Sequence, residues 1–210
     1  RRQSHKESPP QDRIDDEREW EGEEEKTYLM KTKETNIEVR TIKGAAPGKI
    51  VVILAGVHGN ELPGIKAVER LLPQLTLDAG EAVFILANCR AIKENKRFID
   101  CNLNRCFTPE ALRAYANTLE GKTAQELLPF FDNADALLDI HASNSKDSKP
   151  FIICNEESVE IASQLPITIV TFGWNRFEAG STEHYFHEHG KRAVGIECGY
   201  LLDPKGVLCA

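Results

Sequence analysis

The chain has 210 residues, a formal net charge of −7, 41% hydrophobic and 28% charged residues. That is enough for one sizeable α/β domain with its own core, with the balance of an ordinary soluble globular protein. The longest apolar runs, such as KIVVILAGV, are too short to span a bilayer, and no segment has the layout of a secretory signal. The expectation is a cytoplasmic protein with no membrane partner.

Residues 1–26 hold six basic and ten acidic side chains, a local net of −4, and almost no aliphatics. Such a stretch cannot bury enough surface to offset its ordering entropy, so residues 1–29 read as a disordered charged extension. The single methionine, Met30, stands just before the first strand pattern and reads as the native start. The body, residues 27–210, is near neutral at −3 and lacks the basic footprint of a nucleic-acid binder.

From there the punctuation is that of an α/β domain over residues 30–210. NIEVRTI (36–42) alternates like an outer strand, and KIVVILAG (49–56) is a continuous apolar run, the mark of a strand buried on both faces. ELPGIKAVERLLPQL (61–75) predicts a helix with Ile65, Val68, Leu71 and Leu72 on one face and Pro63 in its first turn. EAVFILANC (81–89) is a second buried strand. AQELLPFFDNA (124–134) predicts a helix, ALLDIHAS (136–143) a strand, PFIIC (150–154) a strand, ESVEIASQL (157–165) a short helix and ITIVTF (167–172) a strand. STEHYFHEHG (181–190) predicts a helix with a glycine stop, and AVGIECG (193–199) a last buried strand. The alternation implies a mostly parallel or mixed central sheet with helices on both faces. The six cysteines (Cys89, Cys101, Cys106, Cys154, Cys198, Cys209) form no CxxC pair and read as reduced, buried, intracellular fillers.

In such sheets the working groups gather at the carboxyl ends of the strands. The first buried strand runs into His58 and Glu61, the third ends at His141 after Asp139, and the last carries Glu197. Two His and one Glu make a standard catalytic zinc set that leaves a position open. His-x-x-Glu alone is a weak signal, and by itself it favours a solvated turn and a helix-start carboxylate. The flanking glycines, the buried strand and His141 favour the metal. KRFIDCNLNRCF (96–107) gathers Arg97, Asn104 and Arg105 in one short polar loop. Arg is the best carboxylate receptor, because its guanidinium binds two oxygens at once. The plain alternative is a surface loop with solvated arginines. HYFHEH (184–189) puts His184 and His187 on one helix face, read as solvent-facing near the mouth of the site rather than as a second metal centre. GVHGNELPG lacks the spacing of a phosphate-cradling loop.

GVHGNELPG, RFIDCNLNRCF, LLDIHAS and VGIECG, in this order, resemble the succinylglutamate desuccinylase/aspartoacylase family, a branch of the zinc carboxypeptidase-like hydrolases. The resemblance covers about residues 48–210, and the closing AVGIECGYLLDPKGVLCA is similar to the aspartoacylase version of that segment. It implies one Zn²⁺ per chain held by His58, Glu61 and His141. Glu197 would be general base and acid, Arg97 would stabilise the oxyanion, and Asn104 and Arg105 would hold the carboxylate of a small N-acyl amino acid. Asp139 would orient a ligand histidine or serve ordinary structural hydrogen bonding.

Two departures go with it. Aspartoacylase has a substrate-binding arginine ten residues before the catalytic glutamate, where this chain has His187, so N-acetylaspartate specificity is not implied; Arg176, Lys191 and Arg192 are other nearby cations. The family's C-terminal β-rich domain does not follow before Ala210. The function implied is zinc-dependent deacylation of an N-acyl amino acid. A zinc carboxypeptidase would use the same constellation, and a non-catalytic metal- or metabolite-binding remnant is the rival of another class. Glu197 argues against the last, because a binding module has no use for a proton shuttle.

Overall fold

The structure is a computed structural model and describes residues 35–177 and 179–210. The expected extension at 1–29 and Met30 lie outside the described residues. Seven strands form one mixed sheet: β1 (Glu38–Lys43), β2 (Ala46–Ala55), β3 (Ala79–Leu86), β4 (Ala136–Ser143), β5 (Phe151–Cys154), β6 (Val170–Thr171) and β7 (Arg192–Tyr200), in the order β1-β3-β2-β4-β7-β5-β6. Strands β3, β2, β4 and β7 are mutually parallel, whereas β1 and β5 run antiparallel to their neighbours β3 and β7.

The helices are α1 (Leu62–Leu71), α2 (Cys89–Lys93), α3 (Pro109–Ala114), α4 (Leu119–Asn133), α5 (Val159–Ala162), α6 (Thr182–Glu188) and α7 (Gly206–Cys209). One sheet face packs Val52, Leu54, Val83, Ile85 and Leu137 against Phe131 of α4 and Phe186 of α6. The other face packs Ala82 and Phe84 against Ile65 and Val68 of α1, and Ile152, Val194 and Ile196 against Ala162 of α5. From β2 the chain crosses to β3 through α1 on the second face, then returns over β2 to β4 through α4 on the first face. The loops after β2 and β4 therefore part at a topological switch point, the place where open α/β sheets bind ligands.

The expected strands and helices form, with shifted ends. The predicted helix 61–75 stops at Leu71 and tightens into a 3-10 turn over Leu72–Gln74, where Pro73 lacks the N–H that an α-helix needs. The predicted helix 124–134 starts earlier, at Leu119, after Thr118 caps the Gly121 N–H. The predicted helix 157–165 divides into a 3-10 turn (Glu156–Ser158) and the single turn of α5. The predicted strand 167–172 pairs only over the two residues of β6. Helices α2, α3 and α7 are additions; Asn88 and Thr108 cap the first two. Of the cysteines, Cys106, Cys154 and Cys198 are buried and the others half-buried, all as free thiols. No described helix is long and apolar enough to cross a membrane.

Phe131 is fully buried and meets the rings of Phe107, Tyr185 and Phe186 at centroid distances of 5.2 to 5.9 Å. Phe131→Ala is expected to cost about 3–5 kcal/mol, measured as a drop in the urea midpoint at unchanged m-value.

Candidate metal and active site

The apolar strand β2 ends at Ala55, and the chain turns through Gly56, whose φ of +69° favours glycine. At Gly59 the turn runs so close to α2 that any side chain would fall on the backbone of Ala91 and Ile92. This tight passage delivers His58 and Glu61 to the switch point, 3% and 2% exposed. Glu61 stands at the N-cap of α1 yet makes no capping bond, because its carboxylate is used elsewhere. Its Oε1 lies 2.8 Å from His58 Nδ1 and 2.8 Å from Arg97 Nη1, and its Oε2 lies 3.0 Å from His141 Nδ1 and accepts the Ala142 N–H at 3.1 Å.

Each imidazole is backed on its far nitrogen. His58 Nε2 is 2.9 Å from Asn102 Oδ1, and His141 Nε2 is 3.1 Å from Asp139 Oδ2. Asp139, fully buried, accepts a short hydrogen bond from the Thr182 hydroxyl at the start of α6. Asp139 and His141 are two apart on β4 and so share a face.

The ligand atoms of His58, Glu61 and His141 all lie within 4.8 Å of one another. His58 Nδ1 is buried and, though close to Glu61, has no aligned hydrogen bond. Burial alone would raise the Glu61 carboxyl and lower the His141 imidazole; in both, the neighbours' hydrogen bonds and charges prevail. Glu61 is held well below the usual carboxylate range by His141 and His58, and His141 well above its own by Asp139 and Glu61. Two imidazoles are thus turned toward one buried carboxylate, and His58 Nδ1 is left without an aligned hydrogen bond. This donor set fits a metal ion of the kind that takes N and O ligands. A second acidic cluster, Asp139, His141 and Glu183, lies directly behind and shares His141.

Glu197 sits one strand over, register partner of His141 across β4 and β7. It is half-buried, and burial pushes its carboxyl up to about 7. Arg97, 39% exposed at its side chain, reaches in from the loop after α2, and Gly59 N–H donates to the Arg97 carbonyl at 3.2 Å. Asn104 and Arg105 lie on a 3-10 turn, Leu103–Arg105, beside the N-terminus of α6. Asn104 is buried, and its Oδ1 accepts the Thr182 N–H at 3.0 Å, which turns its amide NH₂ to other partners. Arg105 is half-buried and donates to the Asn104 carbonyl at 2.6 Å. The structure brings His58, Glu61, His141 and Arg97 into direct contact and places Glu197 alongside; Asn104 and Arg105 form the flank nearest α6.

The histidines of HYFHEH lie along α6 and just past its end. His187 is half-buried, hydrogen-bonded at the backbone of Ala193 and lowered by that burial; Ala193 is the second residue of β7. His189 is exposed and stacks on Tyr185 at 4.1 Å. Among the described residues none of the three joins a metal-type cluster. Sequence reasoning also missed Asn102, Glu183 and Glu120. Asn102 stood inside the quoted motif; nothing marked the two glutamates.

Glu120 is fully buried in the first turn of α4. It accepts the backbone N–H groups of Ile99 (2.7 Å), Asp100 (3.0 Å) and Cys101 (3.2 Å) and the side-chain amide of Asn88 (3.1 Å). One carboxylate thereby shapes the loop between Arg97 and Asn102.

The mixed α/β sheet thus carries a buried His/Glu/His cluster that could hold a metal ion, with Glu197 on the adjoining strand. Residues 47–206 match the succinylglutamate desuccinylase/aspartoacylase catalytic domain model, and the chain belongs to that family. It is 32% identical over 183 residues to aspartoacylase of Danio rerio, covering 76% of this chain and 56% of that protein. It is 33% identical over 110 residues to N-acyl-aromatic-L-amino acid amidohydrolase (carboxylate-forming) A of Danio rerio, covering 45% of this chain and 33% of that protein. Among solved structures, succinylglutamate desuccinylase from Vibrio cholerae superposes with a TM-score of 0.69 at 20% identity, over 88% of this chain and 63% of that one, which establishes the shared fold. The chain spans about half the length of the aspartoacylase it matches.

Glu120→Gln keeps the side chain's volume but turns an NH₂ group toward backbone donors. It is expected to cost about 1–3 kcal/mol and to speed hydrogen exchange at the amides of residues 99–101, with β4 and β7 still protected. Unchanged exchange at those three amides would show that the loop holds its shape without the carboxylate.

Proposed function

We propose that this chain carries a zinc-dependent amidohydrolase site that cleaves the amide of a small N-acyl amino acid to a carboxylate and the free amino acid. The observation that carries the reading is the convergence of His58 Nδ1, Glu61 and His141 Nδ1 in one buried cluster, with Glu197 on the adjoining strand. Membership of the desuccinylase/aspartoacylase family supports deacylation over the carboxypeptidase reading of the same donor set. One relative's name supports it too, describing a carboxylate-forming N-acyl amino acid amidohydrolase.

His58, Glu61 and His141 would hold the ion. Bound zinc supplies a Lewis acid and draws the pKa of water toward neutrality. Glu197 takes a proton from the attacking water as its oxygen bonds to the acyl carbon, then delivers that proton to the nitrogen as the C–N bond breaks. Arg97 donates N–H groups to the carbonyl oxygen as that oxygen gains negative charge. Asn104, through its NH₂, and Arg105 receive the free carboxylate of the amino acid and fix the amide relative to Glu197. Asp139 and Asn102 keep the two imidazoles turned so that Nδ1 of each faces Glu61.

The purified chain is expected to hold about one zinc by elemental analysis, lost in His141→Ala and kept in Glu197→Gln. A chain that stays metal-free after reconstitution would sink the zinc assignment. Glu197→Gln should lower kcat on N-acyl amino acids by about 10²–10⁴-fold. A base must be ionised to act, so kcat/KM should rise with pH through the Glu197 titration. Burial sets that titration at about 7 and a bound cation draws it lower, giving an acid limb at or below that pH. The limb should be absent from the residual rate of Glu197→Gln; a limb of the same position in that variant would assign it to another group.

A further inference from the structure

Because β5 runs antiparallel to β7, its first residue, Phe151, lies directly opposite Glu197, and Ile153 lies opposite Gly195. Residues directly opposite in such a pair project from the same sheet face. The alternate residues Ile152 and Cys154 are buried in the cluster on the other face. His141, Glu197 and Phe151 therefore stand in one row across β4, β7 and β5, each step about 5 Å. Phe151 closes the row on the side away from the His58–Glu61 turn.

Trp174, in the 3-10 turn after β6, stacks on Phe151 with ring centroids 6.0 Å apart and planes 19° from parallel. Its indole N–H donates to Thr171 Oγ1 at 2.9 Å, and that hydroxyl donates to the Ile152 carbonyl at 2.7 Å. The one polar atom of the indole is thus satisfied within the sheet edge, and its orientation is fixed by β5 itself. Both rings remain half-exposed. The result is a fixed aromatic surface beside a carboxylate proposed to act on the amide.

We propose that the stacked Phe151–Trp174 pair is the wall of an apolar subsite next to Glu197, and that it takes a flat hydrocarbon group, aryl or alkyl, adjoining the scissile amide. The assignment rests on the hydrolase reading of Glu197. A second carboxylate on the substrate would be disfavoured there, since it would lose water against ring faces and lie near the Glu197 carboxylate. An apolar group instead covers ring surface that is otherwise wet. The hydrocarbon can belong to the amino-acid side chain or to the acyl group.

The zinc-loaded full chain is compared on N-acetyl-L-phenylalanine, N-benzoylglycine, N-acetyl-L-aspartate and N-acetylglycine. One aryl probe should exceed N-acetylglycine in kcat/KM by about tenfold or more, and which one does so identifies the side of the amide that meets the wall. Trp174→Ala should collapse that ratio toward unity, and Trp174→Phe should restore most of it. A ratio unmoved by Trp174→Ala, or N-acetyl-L-aspartate favoured over both aryl probes, overturns the subsite. Binding is read separately through the emission of Trp174 in a Trp20→Phe background, titrated with L-phenylalanine and with benzoate. A saturable change that disappears in Phe151→Ala supports the wall even in a chain without turnover, in which case it is the hydrolase reading that fails. Emission unmoved by both ligands overturns the wall, with or without turnover.

Discussion

A carboxylate cannot be buried alone, and Glu61 is 2% exposed. Its two oxygens meet two imidazoles, a guanidinium and a backbone N–H, supplied by the turn after β2, the loop after α2 and the end of β4. These segments are far apart in sequence and converge on this side chain. The arrangement even takes Glu61 away from the work its position would assign it, capping α1. The local geometry of the site is a solution to one electrostatic problem, the presence of a negative charge in a dry place.

Behind that cluster stand further layers of the same kind. Asp139 faces His141 and takes the Thr182 hydroxyl, and Thr182 N–H is taken by Asn104. Asn102 backs His58 and also accepts the Asn104 N–H at 3.0 Å. The start of α6, the 3-10 turn and both histidines are therefore members of one hydrogen-bonded set. Gly180, at φ +83°, lets the chain entering α6 lie on the Arg105 backbone, and its carbonyl accepts the Phe107 N–H. Networks of this sort fix geometry more than they add stability.

Much of this was legible in the sequence, for a physical reason. Strands β2, β3, β4 and β7 are buried on both faces, so their apolar runs are unbroken, and an ionisable residue at the end of one stands out. His58, Glu61, His141 and Glu197 were found that way. What stayed hidden is also instructive. Helix α4 begins five residues before its apolar pattern, because its first turns bury Glu120 and Thr123 rather than aliphatics. Thr123 and Asn88 both bond the Asn36 side chain, and Asn88 bonds Glu120. A buried polar network of this kind looks like surface in a hydropathy pattern. The short helices α2 and α3 are set by single capping side chains and by distant packing, which periodicity does not report. Strand direction is likewise silent in composition, so the reversal of β5 came only with the structure.

That reversal has a further consequence. In an all-parallel sheet every strand residue near the end where Glu197 lies belongs to the later part of its strand. Here the opening residue of β5 borders it, so residues 144–150, which follow β4 and lead into β5, begin and end on that one side of the sheet. Most of this segment is exposed and polar, and it touches the sheet where the Ser148 carbonyl approaches Gly199. The return from β4 to β5 thereby passes over β7 without a crossover helix, and both ends of the connection stay on the side of the sheet where Glu197 lies.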